Sequence, residues 1–297
     1  MKYFYVISNL SKDYVLDVQD EVQSCLEKRG AVCRYMTDYE RMKNGRHTPG
    51  EYVPEDTQCI ITIGGDGTLI QAARDLAGRN IPMLGINRGH LGFLNQVDRT
   101  EDIDAAMDAL VNERFRLEHR MMLRGTVFHE GKPVFQDIAL NEIIATSAEH
   151  LRVLRYDLAV NDEYLNEYAA DGVMVATPTG STAYNLSAGG PVMAPAGRMM
   201  AVTPVCSHTL NARSIVISEE DRVKIGLLGK GLVTFDGDTS QKTGPGDYLI
   251  VERSQGLTFE TVDKALELGF TSVMLDASTL PFEENIARVK AVVEKAR

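Results

Sequence analysis

Apolar and polar positions follow two textures along the chain, and the change falls near residue 115. Up to that point, strand-like and helix-like runs alternate, the pattern of an α/β sheet with crossover helices. KYFYVIS (Lys2 to Ser8) reads as an aromatic-rich strand. Val15, Val18, Val22 and Leu26 recur at helical spacing and predict a helix to about Lys28, with Ser11 as its cap and Gly30 as its stop. AVCRYM (Ala31 to Met36) and CIITI (Cys59 to Ile63) read as strands, and the second runs straight into glycines. Residues 37–57, polar and carrying Gly45, Pro49 and Pro54, read as a mobile loop. A helix from Thr68 to Leu76, a strand over Ile81 to Asn87 and a helix over Glu101 to Asn112 follow.

From about Arg116, short β-like runs are separated by turn signals: Glu130-Gly131, Asn161-Asp162, Gly229-Lys230-Gly231, Asp236-Gly237 and Gly246-Asp247. That texture predicts a β-rich second domain of hairpins. The expected division is an α/β domain over 1–115, a β-rich domain over 116–254 and a helix–strand–helix tail over 255–297. In the tail, FETVDKALELG reads as an amphipathic helix ending at Gly269, TSVML as a buried strand, and PFEENIARVKAVVEKA as a second helix with Pro281 at its start.

Composition narrows the classes. The 297 residues carry 31 Lys+Arg against 42 Asp+Glu, a net charge of −11, with 44% apolar and 25% charged residues. Those values suit a folded globular chain, and the acidic balance argues against nucleic acid or anionic lipid as partners. No apolar run has signal-peptide or membrane-span length. The four cysteines, Cys25, Cys33, Cys59 and Cys206, lack zinc spacing and read as reduced, mostly buried thiols of a cytoplasmic protein. Met121-Met122 and Met199-Met200 read as core, and Glu219-Glu220-Asp221 as a solvated turn.

Three groups of residues carry chemistry. In IGGDGTLI, Gly64, Gly65, Gly67 and Thr68 sit between a strand and a helix, where bare backbone lets a phosphate approach. Asp66 is foreign to a simple anion cradle. It either caps the helix at Leu69 or Ile70, or serves phosphoryl transfer by orienting a hydroxyl, taking its proton or holding a metal ion. TPTGSTAY, from Thr177, packs hydroxyls, glycine and an aromatic ring into eight residues, which suits a purine and its ribose as well as an ordinary turn. Asn141-Glu142 follows the apolar run DIAL and either grips ribose hydroxyls or ends a solvated strand.

GGDGT is shared by NAD kinases, diacylglycerol and sphingosine kinases and phosphofructokinases. DGVMVATPTGSTAYNLSAGGP (Asp171 to Pro191), ALNEI and NRGHLGFL (Asn87 to Leu94) separate these groups: residues 1–254 resemble the NAD kinase family. The resemblance implies an α/β domain plus a β-rich domain, and transfer of the ATP γ-phosphate to the 2′-hydroxyl of the adenosine ribose of NAD. It gives Asp66 the proton-acceptor role. It places Asp66, Gly67, Phe93, Asn141, Glu142, Arg152, Asp171 and the run Thr182, Ala183, Tyr184, Asn185, Leu186 and Ser187 at the NAD site. Gly64, Gly65, Gly67 and Thr68 would hold the ATP phosphates, with a divalent cation, Mg²⁺, bridged mainly by those phosphates. A homodimer or homotetramer is implied too. The rival readings are a lipid or sugar kinase of the GGDGT group, and a catalytically impaired dinucleotide-binding chimera.

The chain departs from the family at Gln71 and Ala169, where basic residues are frequent, and at Asp238, where Gln is frequent. Arg88 and Arg152 are the candidate replacement cations. The larger departure is Gly256 to Arg297, where GFTSVMLDASTLPFEENI resembles one unit of a class II fructose- or tagatose-bisphosphate aldolase barrel. VERSQG stands where that family's HxDH metal motif is expected, so no aldolase activity is expected.

Overall fold

The run Cys59–Ile63, apolar except for Thr62, forms strand β3, buried at every position, and the first half of the chain is laid against it. The computed structural model describes residues 1–11, 14–36, 43–87, 94–98, 100–149, 152–208 and 212–262. β3 pairs parallel with β1 (Tyr3–Ser8) on one side and β4 (Met83–Ile86) on the other, with β2 (Val32–Tyr35) beyond β1. Parallel neighbours need crossovers, and α1 (Val15–Glu27) and α2 (Asp66–Asp75) supply them. The period-2 alternation of strand side chains divides the core. Phe4, Val6, Ile61 and Ile63 face α1 and α3 (Ile103–Val111), whereas Tyr5 and Ile60 face α2.

The second half is built of antiparallel strands: β5 (Leu117–His129), β6 (Lys132–Ala139), β7 (Glu142–Ser147), β8 (Leu154–Val160), β9 (Glu163–Ala170), β10 (Gly172–Ala176), β11 (Met199–Val205), β12 (Ile215–Ser218), β13 (Val223–Leu227), β14 (Gly231–Phe235), β15 (Thr239–Thr243) and β16 (Tyr248–Val262). A short helix, α4 (Tyr184–Ser187), interrupts them. The expected turns are where hairpins reverse, and Glu130/Gly131, Asn161/Asp162 and Asp236/Gly237 all take positive φ. β12-β11-β10-β7-β14-β15 form one sheet. It packs on a core containing Leu123, Tyr156, Val175, Phe235 and Val251.

β16 joins the two halves. Its Thr258–Val262 stretch pairs antiparallel with Met121–Leu117 of β5, and Thr261 pairs parallel with Met83 of β4. The parallel strands and the hairpins thereby become one ten-stranded sheet. This corrects the helix expected from Phe259: residues 259–262 are strand. Open backbone on β4 and β5 outweighs the helical periodicity of a short segment. The rest of the tail, 263–297, lies outside the described residues.

Three smaller expectations also change. Ser11 bonds Asn9 Oδ1, while α1 begins at Val15 with Tyr14 in the cap position and no side-chain cap bond. Glu219 is buried between Arg198 and Arg253 and is not a solvated acid. Cys25 and Cys59 are buried as expected, but Cys206 is exposed. Among the described residues, no helix is long and apolar enough to cross a membrane.

Candidate active site

β3 ends at Ile63 at the carboxyl edge of the parallel strands, where open α/β sheets bind ligands. α2 begins there with Asp66, two residues earlier than the periodicity predicts, and Gly65 holds the cap position. Gly64 differs from its neighbours. Its N–H donates to the Ile86 carbonyl at 2.9 Å, and a Cβ there would sit 2.4 Å from Thr68 Oγ1. It is a close-packing glycine with its donor engaged, unlike the open backbone expected of it. A Cβ on Gly67 would meet nothing within 4 Å. Gly65, Gly67 and Thr68 line a cavity of about 630 Å³, together with Ser8 and Asn9 after β1 and Arg46 and His47 from the 43–49 loop.

Asp66 is partly buried at the head of α2, and its Oδ1 accepts a short hydrogen bond from Asn95 Nδ2. Hydrophobic packing brings the next group to it. Leu69, Leu94 and Leu140 share one buried cluster, and each lies close in sequence to a polar residue of the site: Asp66, Asn95 and Asn141. Asn141-Glu142 forms the bend between β6 and β7. Asp236 fixes that bend by accepting the backbone N–H groups of Leu140, Asn141 and Glu142 at 2.6, 2.8 and 3.0 Å. Arg74, on the last turn of α2, reaches Asp137 and Asp238 at 2.8 Å each and lies 3.9 Å from Asp236. The helix that carries Asp66 is thus tied to the bend that carries Asn141.

The bend is electrostatically tense. Asn141 Oδ1 and Glu142 Oε2 are buried with no hydrogen-bond partner among the described residues. Burial, and then the nearby Asp236, pushes the Glu142 carboxyl up to about 8. Asp236 is raised by burial too, against the pull of its three backbone donors and Arg74. At neutral pH, Glu142 is therefore largely protonated and can both donate to and accept from a ligand hydroxyl.

The 177–187 loop leaves β10 beside this bend. The Thr177 N–H donates to Asn141 O at 2.8 Å, and Thr177 Oγ1 donates to Leu140 O at 2.6 Å. Gly180 is pressed on Asn141, where a Cβ would lie 2.2 Å from its carbonyl oxygen. Ser181 is buried, donating to Pro178 O and accepting the Met193 N–H. Asn185 is fully buried, with its amide held by Pro191 O and the Thr203 hydroxyl. The Asn185 side chain therefore shapes the loop and is closed to a ligand, unlike the ligand contact expected of it. Thr182 and Ala183 are partly open, and Tyr184, Leu186 and Ser187 are exposed.

Two expected residues lie elsewhere. Asp171 precedes β10, whereas the loop follows it, and β7 runs antiparallel with Glu142 opposite Ala176 and Thr146 opposite Gly172. At about 3.3 Å per residue, the two ends are ~20 Å apart. Arg152 follows the far end of β7; it is exposed and pairs with Glu149 at 3.5 Å. Arg152 and Asp171 therefore sit together at the edge opposite Asn141, and Arg152 does not replace a cation at the glycine turn within one chain. Ala169 is at that far edge too. Phe93 and Arg88 lie outside the described residues. The other departures are local to the cavity. Gln71 lines it and donates to Asp75 at 2.9 Å, while Asp238 holds Arg46 and Arg74.

Sequence reasoning missed Asn95, Arg74 and Asp236, whose roles depend on contacts between distant segments. Asp236 carried a signal only as a turn. Arg120 was missed as well: it is buried on β5, bonded to Glu118 at 2.9 Å and 3.4 Å from Thr179 Oγ1. Among the described residues, no three His, Cys, Asp or Glu side chains converge as metal ligands. A Mg²⁺ carried by a nucleotide needs only one or two protein carboxylates, and Asp66 beside the glycine turn fits that requirement.

Comparison with known proteins matches three stretches of the chain. Residues 5–115 match the model of the ATP-NAD kinase N-terminal domain, and residues 140–262 that of the ATP-NAD kinase C-terminal domain. Residues 254–297 match class-II fructose-bisphosphate aldolase, so the two assignments overlap on β16. The chain is 36% identical to the NAD kinase of Lachnospira eligens, covering 87% of this chain and 94% of that one. It is 37% identical to the NAD kinase of Lachnoclostridium phytofermentans, over 86% and 92%. The fold resembles yeast NADH kinase complexed with NADH, with TM-score 0.77 and 20% identity over 98% of this chain and 88% of that one. It also resembles an Archaeoglobus fulgidus NAD kinase in complex with ATP, with TM-score 0.72 and 22% identity over 90% and 96%.

Proposed function

Because the chain belongs to the NAD kinase family, we propose that it phosphorylates the 2′-hydroxyl of the adenosine ribose of NAD with ATP. The observation that carries the reading is Asp66, held at an open helix start beside bare glycine backbone, on a helix whose Leu69 shares a buried cluster with Leu140, the residue before Asn141-Glu142. The 2′-oxygen forms a bond to the γ-phosphorus as the bond from that phosphorus to the β,γ-bridging oxygen breaks. Asp66 takes the hydroxyl proton, and NADP and ADP leave. Phosphoryl transfer of this kind has a loose transition state, so most of the work is alignment and charge stabilisation.

The residues divide that work. Gly65, Gly67 and Thr68 offer backbone and hydroxyl donors to the triphosphate, and Arg46 adds positive charge to the cavity wall. Bound with ATP, Mg²⁺ would draw charge from the phosphate oxygens. Asn141 and Glu142 bring two unsatisfied polar atoms to the ribose hydroxyls. Thr182, Ala183 and Tyr184 form the wall against the adenine. Arg152 and Asp171, at the opposite edge, would reach a dinucleotide bound at this site from a second copy of the chain in a homo-oligomer, and the exposed Tyr184, Leu186 and Val192 offer apolar area for such a contact. The four free cysteines and the dinucleotide substrate support a cytoplasmic setting.

Asp66→Asn is expected to keep the wild-type melting temperature and to lose at least about a hundredfold in kcat for NADP formation. Near-wild-type turnover would remove Asp66 from the reaction. Radiolabelled ATP offered with NAD, diacylglycerol, sphingosine and sugar phosphates is expected to label NAD alone. The aldolase-like segment bears on activity through β16. A chain ending at Val262 keeps the strand between β4 and β5 and should make NADP like the full chain, whereas one ending at Ser254 should lose the fold. Full activity in the shorter version would end the claim that the segment serves the kinase sheet.

A further inference from the structure

We infer that Asn95 is a positioning residue that locks the Asp66 carboxylate in the orientation needed to meet the ribose hydroxyl. The inference rests on the reading of Asp66 as proton acceptor and deepens it. Asn95 Nδ2 donates to Asp66 Oδ1 at 2.5 Å, from a side chain that is only 8% exposed. The amide is not there as solvated decoration. Its Oδ1 is buried with no partner among the described residues, an arrangement that costs stability.

The surroundings are built to hold that amide. The Asn95 side chain lies directly on β4 at Gly85, where a Cβ would stand 2.3 Å from Oδ1 and 3.1 Å from the Asn95 Cα. Any larger residue at 85 would expel it. The backbone that follows is fastened to the same strand: Gln96 N–H and Val97 N–H both donate to Gly85 O, at 3.0 and 3.1 Å, and the Gly85 N–H donates to Gln96 Oε1 at 2.7 Å. Gln96 in turn donates to Leu94 O at 2.7 Å. Leu94 is packed beside Leu69 of α2. The platform under Asn95 is thus β4 itself, while Asp66 rides on α2, and the bond between them fixes one carboxylate oxygen relative to the sheet. A carboxylate with one oxygen pinned cannot rotate freely, so the bond limits the orientations in which Asp66 can meet a substrate hydroxyl.

The test is a split between kcat and KM combined with a mutant cycle, using the full chain. Asn95→Leu removes the donor at nearly constant volume. It is expected to lower kcat for NADP formation by about ten- to a hundredfold, with KM for NAD and ATP within about threefold, because misorientation of a reacting group costs rate more than binding. Gly85→Ala, which displaces the same amide from below, should reproduce the loss. In an Asp66→Asn background, Asn95→Leu should change kcat by less than about twofold, since its effect runs through the group already removed. Unchanged kcat in both Asn95→Leu and Gly85→Ala would overturn the inference, as would a further tenfold loss in the Asp66→Asn background. Should Asn95→Leu not fold, Asn95→Ser carries the same predictions. High turnover in Asp66→Asn would instead sink the proton-acceptor reading, so the two failures are distinguishable.

Discussion

The two loops of the candidate site are made in opposite ways. The glycine turn at 64–68 uses one glycine, Gly64, to close its own packing and leaves Gly67 facing open space. The 177–193 segment turns inward: Thr177, Ser181 and Asn185 bond to their own neighbourhood, and Gly180 and Gly190 are pressed against Asn141 and Asn185. The difference follows from what each would hold. A triphosphate must be gripped and released with its charge changed, so backbone donors and space serve it best. A purine and its ribose are recognised by shape, so the wall must be stiff before they arrive.

If that contrast holds, substitutions in the inward loop should cost stability first, and the largest cost belongs to Gly180→Ala. Its Cβ would sit 2.2 Å from the Asn141 carbonyl oxygen, which is backbone and cannot move aside without parting the loop from the bend. A loss of about 3 kcal/mol is expected, seen as a fall in Tm of about 6–12 °C, with a higher KM for NAD. Asn185→Ala comes next. It strands the Thr203 hydroxyl and the Pro191 carbonyl inside the protein and should cost about 2 kcal/mol. A normal Tm in both variants would break the comparison, because the loop would then be no stiffer than the glycine turn.

How far the sequence reveals this arrangement depends on the range of the interaction. β3 and its glycine exit are legible because a short, largely apolar run and three glycines are local signals, and the hairpin turns are legible because Asn, Asp and Gly tolerate positive φ. The motif residues were found through family resemblance, but their division of labour was not. Nothing local distinguishes Gly64 from Gly67, since one faces Thr68 and the other faces space only after α2 has docked. Asn185 lies in the same motif as Tyr184, yet one is buried and the other exposed, because α4 turns on itself. Arg74 and Asp236 are 162 positions apart (236 − 74), so their proximity is a property of the assembled sheets. The strand at 258–262 was misread as helix for the same reason: its partners on β4 and β5 lie more than a hundred residues earlier.

The glycine turn sharpens the comparison from the other side. Gly67→Ala places a methyl group in the cavity and against no protein atom, at a helical position where alanine is favoured over glycine. Tm should hold or rise slightly, while KM for ATP rises by roughly tenfold, about 1.4 kcal/mol of binding. A fall in Tm with unchanged KM would show that the turn, like its partner, is built for itself.

The smallest effect tests the seam between the loops, at Glu142. In the unfolded chain this carboxyl titrates near its ordinary value of 4.5, and in the folded protein burial and Asp236 hold its proton up to about 8. Between those values the folded state binds a proton that the unfolded state has released. Stability from this group is therefore complete below the lower value and declines as pH rises through the upper one. Glu142→Gln keeps the shape and removes the titration. It should match the wild-type Tm at pH 5 and exceed it by about 2–4 °C at pH 8.5, the size of ~1 kcal/mol once water and relaxation have absorbed most of the burial cost. NAD should suppress the difference in the wild type if ribose hydroxyls satisfy the carboxyl, because a ligand that pairs the group removes the cause of its tension. An equal gap at both pH values would mean that Glu142 is ionised throughout, and that the seam is tied by Asp236 and Arg74 alone.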